Sequence, residues 1–218
     1  MYDKVCNENV EQKMSKRKCL FFPLRDKLWY MKSNIKAEII RSKPLIIYFH
    51  EFIDNKTARA LKYMGHETLL GLISEDQYRH PRQSSGINDK TNWKWVPKLE
   101  RKLNGLHISN RNPRNAKFNV MNVGLDGLIS KKQTRRVSPV GSFIVGLTDR
   151  SYGGDLAFPL AKTKVKLQKG DVLFYEDSTL FTVCPVAYGE VWYGFQYLFE
   201  VPYPSNVSPP KRRARRGY

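Results

Sequence analysis

The stretch from Thr179 to Glu200, "TLFTVCPVAYGEVWYGFQYLFE", decides how the rest of the chain is read. Thr179, Phe181 and Val183 alternate with their neighbours, and Val191, Tyr193 and Phe195 do the same after Gly189. A period of two is the pleat of a β-strand, and a glycine between two such runs marks a turn. The stretch therefore predicts two strands joined by a turn.

The same period recurs from residue 117 onward. "KFNVMNVG", "GSFIVGLTD", "LAFPL", "KVKLQKGDVLFYED" and "VWYGFQYLFEVP" are short alternating runs cut by Gly, Pro and Asp. Short strands broken at this spacing are the pattern of an antiparallel sandwich or barrel. Upstream, "SKPLIIYFHEFI" (42–53) predicts a buried strand over Leu45–Phe49. Asp54 is placed to cap a helix through "NKTARALKYMG", with Ala58, Leu61 and Met64 on one face and Gly65 as its stop. "WVPKLERKLNGL" carries Val96, Leu99, Leu103 and Leu106 at helical spacing, with Pro97 in the first turn and Gly105 near the stop. Residues 74–92 are polar and rich in Gly, Ser and Asn, which predicts a loop. Two helices ahead of a strand-rich segment make the class α+β with a β core.

Charge and composition narrow the function classes. The 218 residues are 41% hydrophobic, enough for one domain with a real core. Lys and Arg outnumber Asp and Glu by 38 to 20, a net charge of +18. That excess fits either a polyanionic partner or a solvated basic surface. No run approaches the ~20 apolar residues of a membrane span. The first eighteen residues, "MYDKVCNENVEQKMSKRK", hold no apolar core of a secretory signal. Cys6, Cys19 and Cys184 include no CxxC, and no His stands near them at zinc-ligand spacing. Residues 204–218 are Pro-rich and then basic, ending in "KRRARRGY", and are expected to be a disordered tail.

Three stretches in order carry a family resemblance. They are "YGGDLAFP" (152–159), "VKLQKGDVLFYED" (165–177) and "CPVAYGEVW" (184–192). Together they resemble the C-terminal catalytic domain of the collagen prolyl 4-hydroxylase alpha subunit, an iron(II)- and 2-oxoglutarate-dependent dioxygenase family. "YDKVC", "KRKCLFF", "KPLIIYFHEFID" and "NWKWVPKLERKLNGLHIS" resemble that domain's upstream segments, so the similarity spans roughly residues 2–203. It implies a double-stranded β-helix (jelly roll) flanked by helices. The division expected is a lead-in over 1–43, the dioxygenase-like domain over 44–203 and the tail over 204–218. It also implies a Cys6–Cys19 disulfide, with Cys184 unpartnered. The family works in the lumen of the endoplasmic reticulum with Fe(II), 2-oxoglutarate and ascorbate. The chain's own location is left open, because the resemblance and the missing signal point in opposite directions.

The family's chemistry needs two His and one carboxylate on one face of Fe(II), with open positions for 2-oxoglutarate and oxygen. Its H-x-D pair falls on "NVGLDGLISKKQT", where counting from Gly124 sets Lys132 and Thr134 at those positions. Phe181 stands at the distal His, and Val191 at the Lys that pairs with 2-oxoglutarate. No Lys occurs between Lys169 and Lys211, and the histidines are His50, His66, His80 and His107, none in the β core. A phenyl ring and an isopropyl group cannot ligate iron or pair a carboxylate, and Lys132 would repel a dication. Asp126, Asp149, Asp155, Glu176, Asp177 and Glu190 remain, but all-oxygen sites suit Mg²⁺ or Ca²⁺. Ordinary turn and surface chemistry accounts for them.

These residues predict no bound cofactor and an apolar filling near Phe181, Val191, Phe143 and Phe174. The leading expectation is a catalytically inactive homologue, a pseudoenzyme, that keeps a binding role or none. A proline-rich peptide or a protein subunit is its expected partner, met through Trp93 and Trp95. One alternative is an active procollagen-proline dioxygenase. The other is a basic nucleic-acid-binding protein on the same fold, holding polyanions through "KRRARR".

Overall fold

In the computed structural model, the residues described are 6, 18–23, 34–70, 82–83, 95–106, 108, 118–124, 129–130, 140–148, 151–176 and 179–198. They form a mostly β structure with two helices. The strands are β1 (Lys18–Pro23), β2 (Asn34–Ser42), β3 (Leu45–Phe49), β4 (Arg82–Gln83), β5 (Asn119–Val123), β6 (Ile129–Ser130) and β7 (Gly141–Gly146). They continue as β8 (Tyr152–Gly153), β9 (Leu156–Phe158), β10 (Thr163–Val165), β11 (Val172–Glu176), β12 (Thr182–Val183), β13 (Val186–Tyr188) and β14 (Val191–Leu198). Helix α1 spans Asn55–Leu70 and α2 spans Trp95–Asn104.

Eight strands make one sheet in the order β1-β2-β3-β11-β7-β14-β5-β4. Four make a second, β10-β9-β12-β6, and β13 pairs with β8 in a ribbon. Every pairing is antiparallel. The opening stretch makes three strands where two were expected, because Cys184 and Pro185 interrupt the run between β12 and β13. The segment read as a lead-in contributes β1 and β2 to the edge of the large sheet.

The period of two divides the large sheet's side chains between two cores. One face carries Ile47, Phe49, Phe118, Val120, Phe143, Val145, Val172, Phe174 and Trp192, packed with Leu61 and Met64 of α1 and Leu99 and Leu103 of α2. The other carries Ile46, Tyr48, Met121, Ile144, Leu173, Tyr175, Val191, Tyr193 and Phe195, packed with Leu156, Phe158 and Val183 of the small sheet. At roughly 25 cal/mol per Å² of apolar surface removed from water, two such cores dominate the stability of a chain this size.

Helix α1 begins as its sequence predicts. Asp54 Oδ1 accepts the Thr57 N–H at 2.6 Å, and the Asp54 carbonyl accepts the Ala58 N–H at 3.0 Å. The Thr57 N–H above all, helped by Lys98, pulls the Asp54 carboxyl down to about 2. The helix does not stop at Gly65. It runs on to Leu70, and Gly65 lies where a β-carbon would collide with the Val120 side chain. The glycine is there to let helix and sheet approach. Helix α2 ends as predicted, with Gly105 just past Asn104 and its N–H bonded to the Arg101 carbonyl at 3.0 Å.

Candidate functional site

Phe181 and Val191, two of the positions singled out in the sequence, both lie in the core between the two sheets. Phe181 immediately precedes β12, whose Thr182 and Val183 pair with Ser130 and Ile129 on one side. On the other side they pair with Ala157 and Leu156. Val191 opens β14 opposite Val123. Both side chains point inward by the pleat, and both are buried. Lys132 and Thr134 lie outside the described residues, as do Asp126, Asp149, Asp177, His80, His107 and Trp93.

Phe181 is 3% exposed and stands in an aromatic cluster. Its ring stacks on Phe195 at 5.7 Å between centroids, meets Tyr175 edge-on at 5.3 Å, and lies 6.2 Å from Phe158. Such offset and edge-on pairs are each worth ~0.5–1.5 kcal/mol beyond their buried area. Val191 fills the space over Gly154, whose φ of 74° and proximity to the Val191 methyl leave no room for a side chain. Tyr193 donates its hydroxyl to the Gly154 carbonyl at 2.6 Å. Burial, with the nearby Asp155 charge, raises that phenol far above its ordinary value, so it stays a neutral donor.

Phe143 and Phe174 were expected beside Phe181 and are not there. They pair across β7 and β11, with rings 5.3 Å apart, on the face that meets the helices. The pleat explains it. On β11 the inward residues are Leu173 and Tyr175, so Phe174 must point outward.

The disulfide also differs from expectation. Cys6 is bonded to Cys184, not to Cys19, with a Cα–Cα distance of 5.5 Å. Cys19 is a free, exposed thiol on β1, at the far edge of the large sheet. Lys164 of β10 donates to the Cys6 carbonyl at 3.3 Å, which holds Cys6 against the small sheet beside Cys184. The bond staples the start of the chain next to the β12–β13 element.

The remaining carboxylates are scattered. Asp155 faces Lys164 at 4.0 Å. Glu176 accepts the Leu45 N–H at 2.9 Å, closing the turn between β2 and β3. Glu190 takes Lys62 at 2.9 Å and Asn122 at 2.9 Å. Partial burial alone would raise the Glu190 carboxyl, but Lys62, Asn122 and Trp192 outweigh it and hold it below its usual range. His50 is bonded to Glu38 at 3.0 Å, and His66 lies over Trp192 on α1. Among the described residues, no three of His, Cys, Asp or Glu gather where they could share a metal ion.

One polar contact went unread in the sequence. Buried Asp171 accepts the Tyr48 hydroxyl and, at 2.7 Å, the Glu51 N–H. It ties the end of β3 to the turn before β11. Its position after Lys169-Gly170 marks it as a turn residue, but nothing local points to its partners more than a hundred residues away.

No family model matches the chain. A curated relative, human prolyl 4-hydroxylase subunit alpha-3, is 24% identical over 196 residues, covering 76% of this chain. The chain spans 36% of that relative's length. Among solved structures, the viral collagen prolyl hydroxylase of Paramecium bursaria Chlorella virus-1 matches with a TM-score of 0.56 at 18% identity, over 72% of this chain and 96% of its own. A Pseudomonas putida prolyl-4-hydroxylase matches with a TM-score of 0.59 at 10% identity, over 72% and 93%. Over about three quarters of its length the chain is similar to prolyl 4-hydroxylases, and it shares the fold of the solved ones.

Fe(II) and 2-oxoglutarate, the groups that this family uses, do not fit the residues described in the domain. Phe181 and Val191, which the resemblance sets at the distal ligand and at the 2-oxoglutarate cation, have neither a lone pair nor a charge. The hydroxyl of Tyr193 is already committed to Gly154. The space between the sheets is occupied by rings and branched aliphatics.

Proposed function

We propose that the chain is a prolyl 4-hydroxylase-like domain on a double-stranded β-helix that has exchanged its iron centre for an apolar core and does not hydroxylate. The strand orders support the fold reading. From β5 onward the chain crosses repeatedly between the sheets: β5, β7, β11 and β14 lie in the large one, β6, β9, β10 and β12 in the small one, and β8 and β13 form the separate ribbon. Such crossing between two sheets is how a jelly roll winds.

The observation that carries the functional reading is Phe181, buried among Tyr175, Phe195 and Phe158 where the distal ligand would stand. A bare polar cavity left by a lost metal would be costly, and an aromatic filling removes that cost. What remains is a scaffold for binding a proline-rich peptide or a protein subunit.

The test is turnover of 2-oxoglutarate by the purified chain with Fe(II), ascorbate and a collagen-like peptide, alongside an active prolyl hydroxylase. The expected result is no succinate above the protein-free background. Peptide-dependent succinate formation would overturn the proposal.

A further inference from the structure

Helices α1 and α2 bury their apolar sides against the large sheet, through Ala58, Leu61 and Met64 and through Val96, Leu99 and Leu103. What they turn outward is basic. The two helices hold six Lys and Arg against two Glu. Lys56 and Arg59 of α1 and Lys98 and Arg101 of α2 are all exposed. They belong to one patch. Lys56 and Lys98, from different helices, place their ammonium groups 5.9 and 5.7 Å from the centre of the same ring, Trp95. One helical turn beyond Arg59, Tyr63 is 65% exposed.

Among the described residues the patch is poorly neutralised. Lys98 pairs with Asp54 at 3.1 Å, and Glu67, facing His66 at 3.9 Å, closes the far end of the α1 stripe. Among the described residues, no carboxylate pairs with Lys56, Arg59 or Arg101. Like charges held together repel, and a polyanion relieves that repulsion while releasing its own counterions.

We propose that this face binds single-stranded nucleic acid, with Lys56, Arg59, Lys98 and Arg101 meeting phosphates and Tyr63 stacking on a base. The exposed ring selects among polyanions. A single strand offers free base faces to an aromatic side chain, whereas a paired duplex does not. A membrane surface would reward an apolar wedge, and both helices have spent theirs on the core. The inference stands apart from the reading of the barrel interior and survives if that reading fails.

The test uses the full chain and a fluorescein-labelled oligothymidylate, followed by anisotropy at several salt concentrations. Saturable binding is expected, with log K falling against log salt at a slope of about −3 for four phosphate contacts. The double variant Lys56→Glu/Arg59→Glu should weaken binding and flatten that slope by about 1.4 or more. Tyr63→Ala should weaken binding roughly fivefold or more and leave the slope unchanged. All three substitutions are at exposed positions, and matching thermal melts establish that the variants are folded. A further variant with Lys211, Arg212, Arg213, Arg215 and Arg216 changed to Ser should keep the Tyr63 effect. Loss of binding in that tail variant, with none from the helix variants, would overturn the proposal. So would equal binding to phosphatidylserine vesicles or heparin that Tyr63→Ala does not alter.

Discussion

Phe143 and Ile144 are neighbours on β7 and lie in different cores. Phe143 faces the helices with Phe174, Trp192 and Leu99. Ile144 faces the small sheet with Tyr175, Phe181 and Phe195. The first face has one job in any domain of this architecture, which is to hold the helices, and it must be apolar to do so. The second is where a dioxygenase would place its metal ligands and its cosubstrate cation. Here it is lined, like the first, by buried apolar side chains. The likeness of the two faces teaches more than either alone: on the proposed reading, the apolar filling stands where a working site would need polar groups.

The sharpest way to break that likeness is by truncation. Phe181→Ala and Phe52→Ala each remove a buried ring, one from each core. Both should cost about 3–5 kcal/mol in urea unfolding. If the interior were an open cleft, Phe181→Ala would cost little while Phe52→Ala kept its full effect. The Cys6–Cys184 bond belongs to neither core; it packs with Ala157 in a cluster of its own on the small sheet. It closes a loop of sequence separation 178, so Cys184→Ala should cost on the order of 2–5 kcal/mol. A thermal melt in strong reductant should reproduce that loss in the parent chain and leave the Cys184→Ala chain where it is.

Val191→Lys places a charge where the sequence resemblance expects one and asks whether the interior will take it. At pH 7 the ammonium would be buried without a partner, costing about 3 kcal/mol. Burial lowers the folded-state pKa of such a lysine below its unfolded value. The unfolded chain then holds the extra proton, and stability recovers as pH rises toward about 10. A variant as stable as its parent at pH 7 would mean that a polar pocket is present after all. The smallest effect belongs to the helix side. Asp54→Ala removes the cap of α1 and should cost about 1 kcal/mol. Because the Asp54 carboxyl is pulled down to about 2 from 3.8, its contribution is present above pH ~4 and is lost as pH falls toward 2. Difference melts of the two chains across that range check the sign.

Much of this was legible in the residues. The change of period at residue 117, the cap at Asp54 and the ordered motifs around Cys184 lead to a mostly β chain with two helices that is similar to prolyl 4-hydroxylases. The filling of the interior was legible at Phe181 and Val191. Its lining was not. Phe143 and Phe174 look equally suited to it, and only strand register decides which face they take. Gly65 reads as a stop by local rules, but its reason is Val120, far along the chain. The Cys6–Cys184 pairing is likewise a fact of tertiary placement. β1 and β2 were missed because β1 is an exposed edge strand and β2, beside it, alternates only over its first four residues before turning part-exposed.

Anaerobic equilibrium dialysis of the full chain against Fe(II) and labelled 2-oxoglutarate tests the central claim most directly, because it asks for binding without asking for turnover. The apolar interior predicts no saturable retention of either group, in the parent chain or in Phe181→His. One equivalent of iron and of 2-oxoglutarate retained together per parent chain, with each dependent on the other, would contradict it.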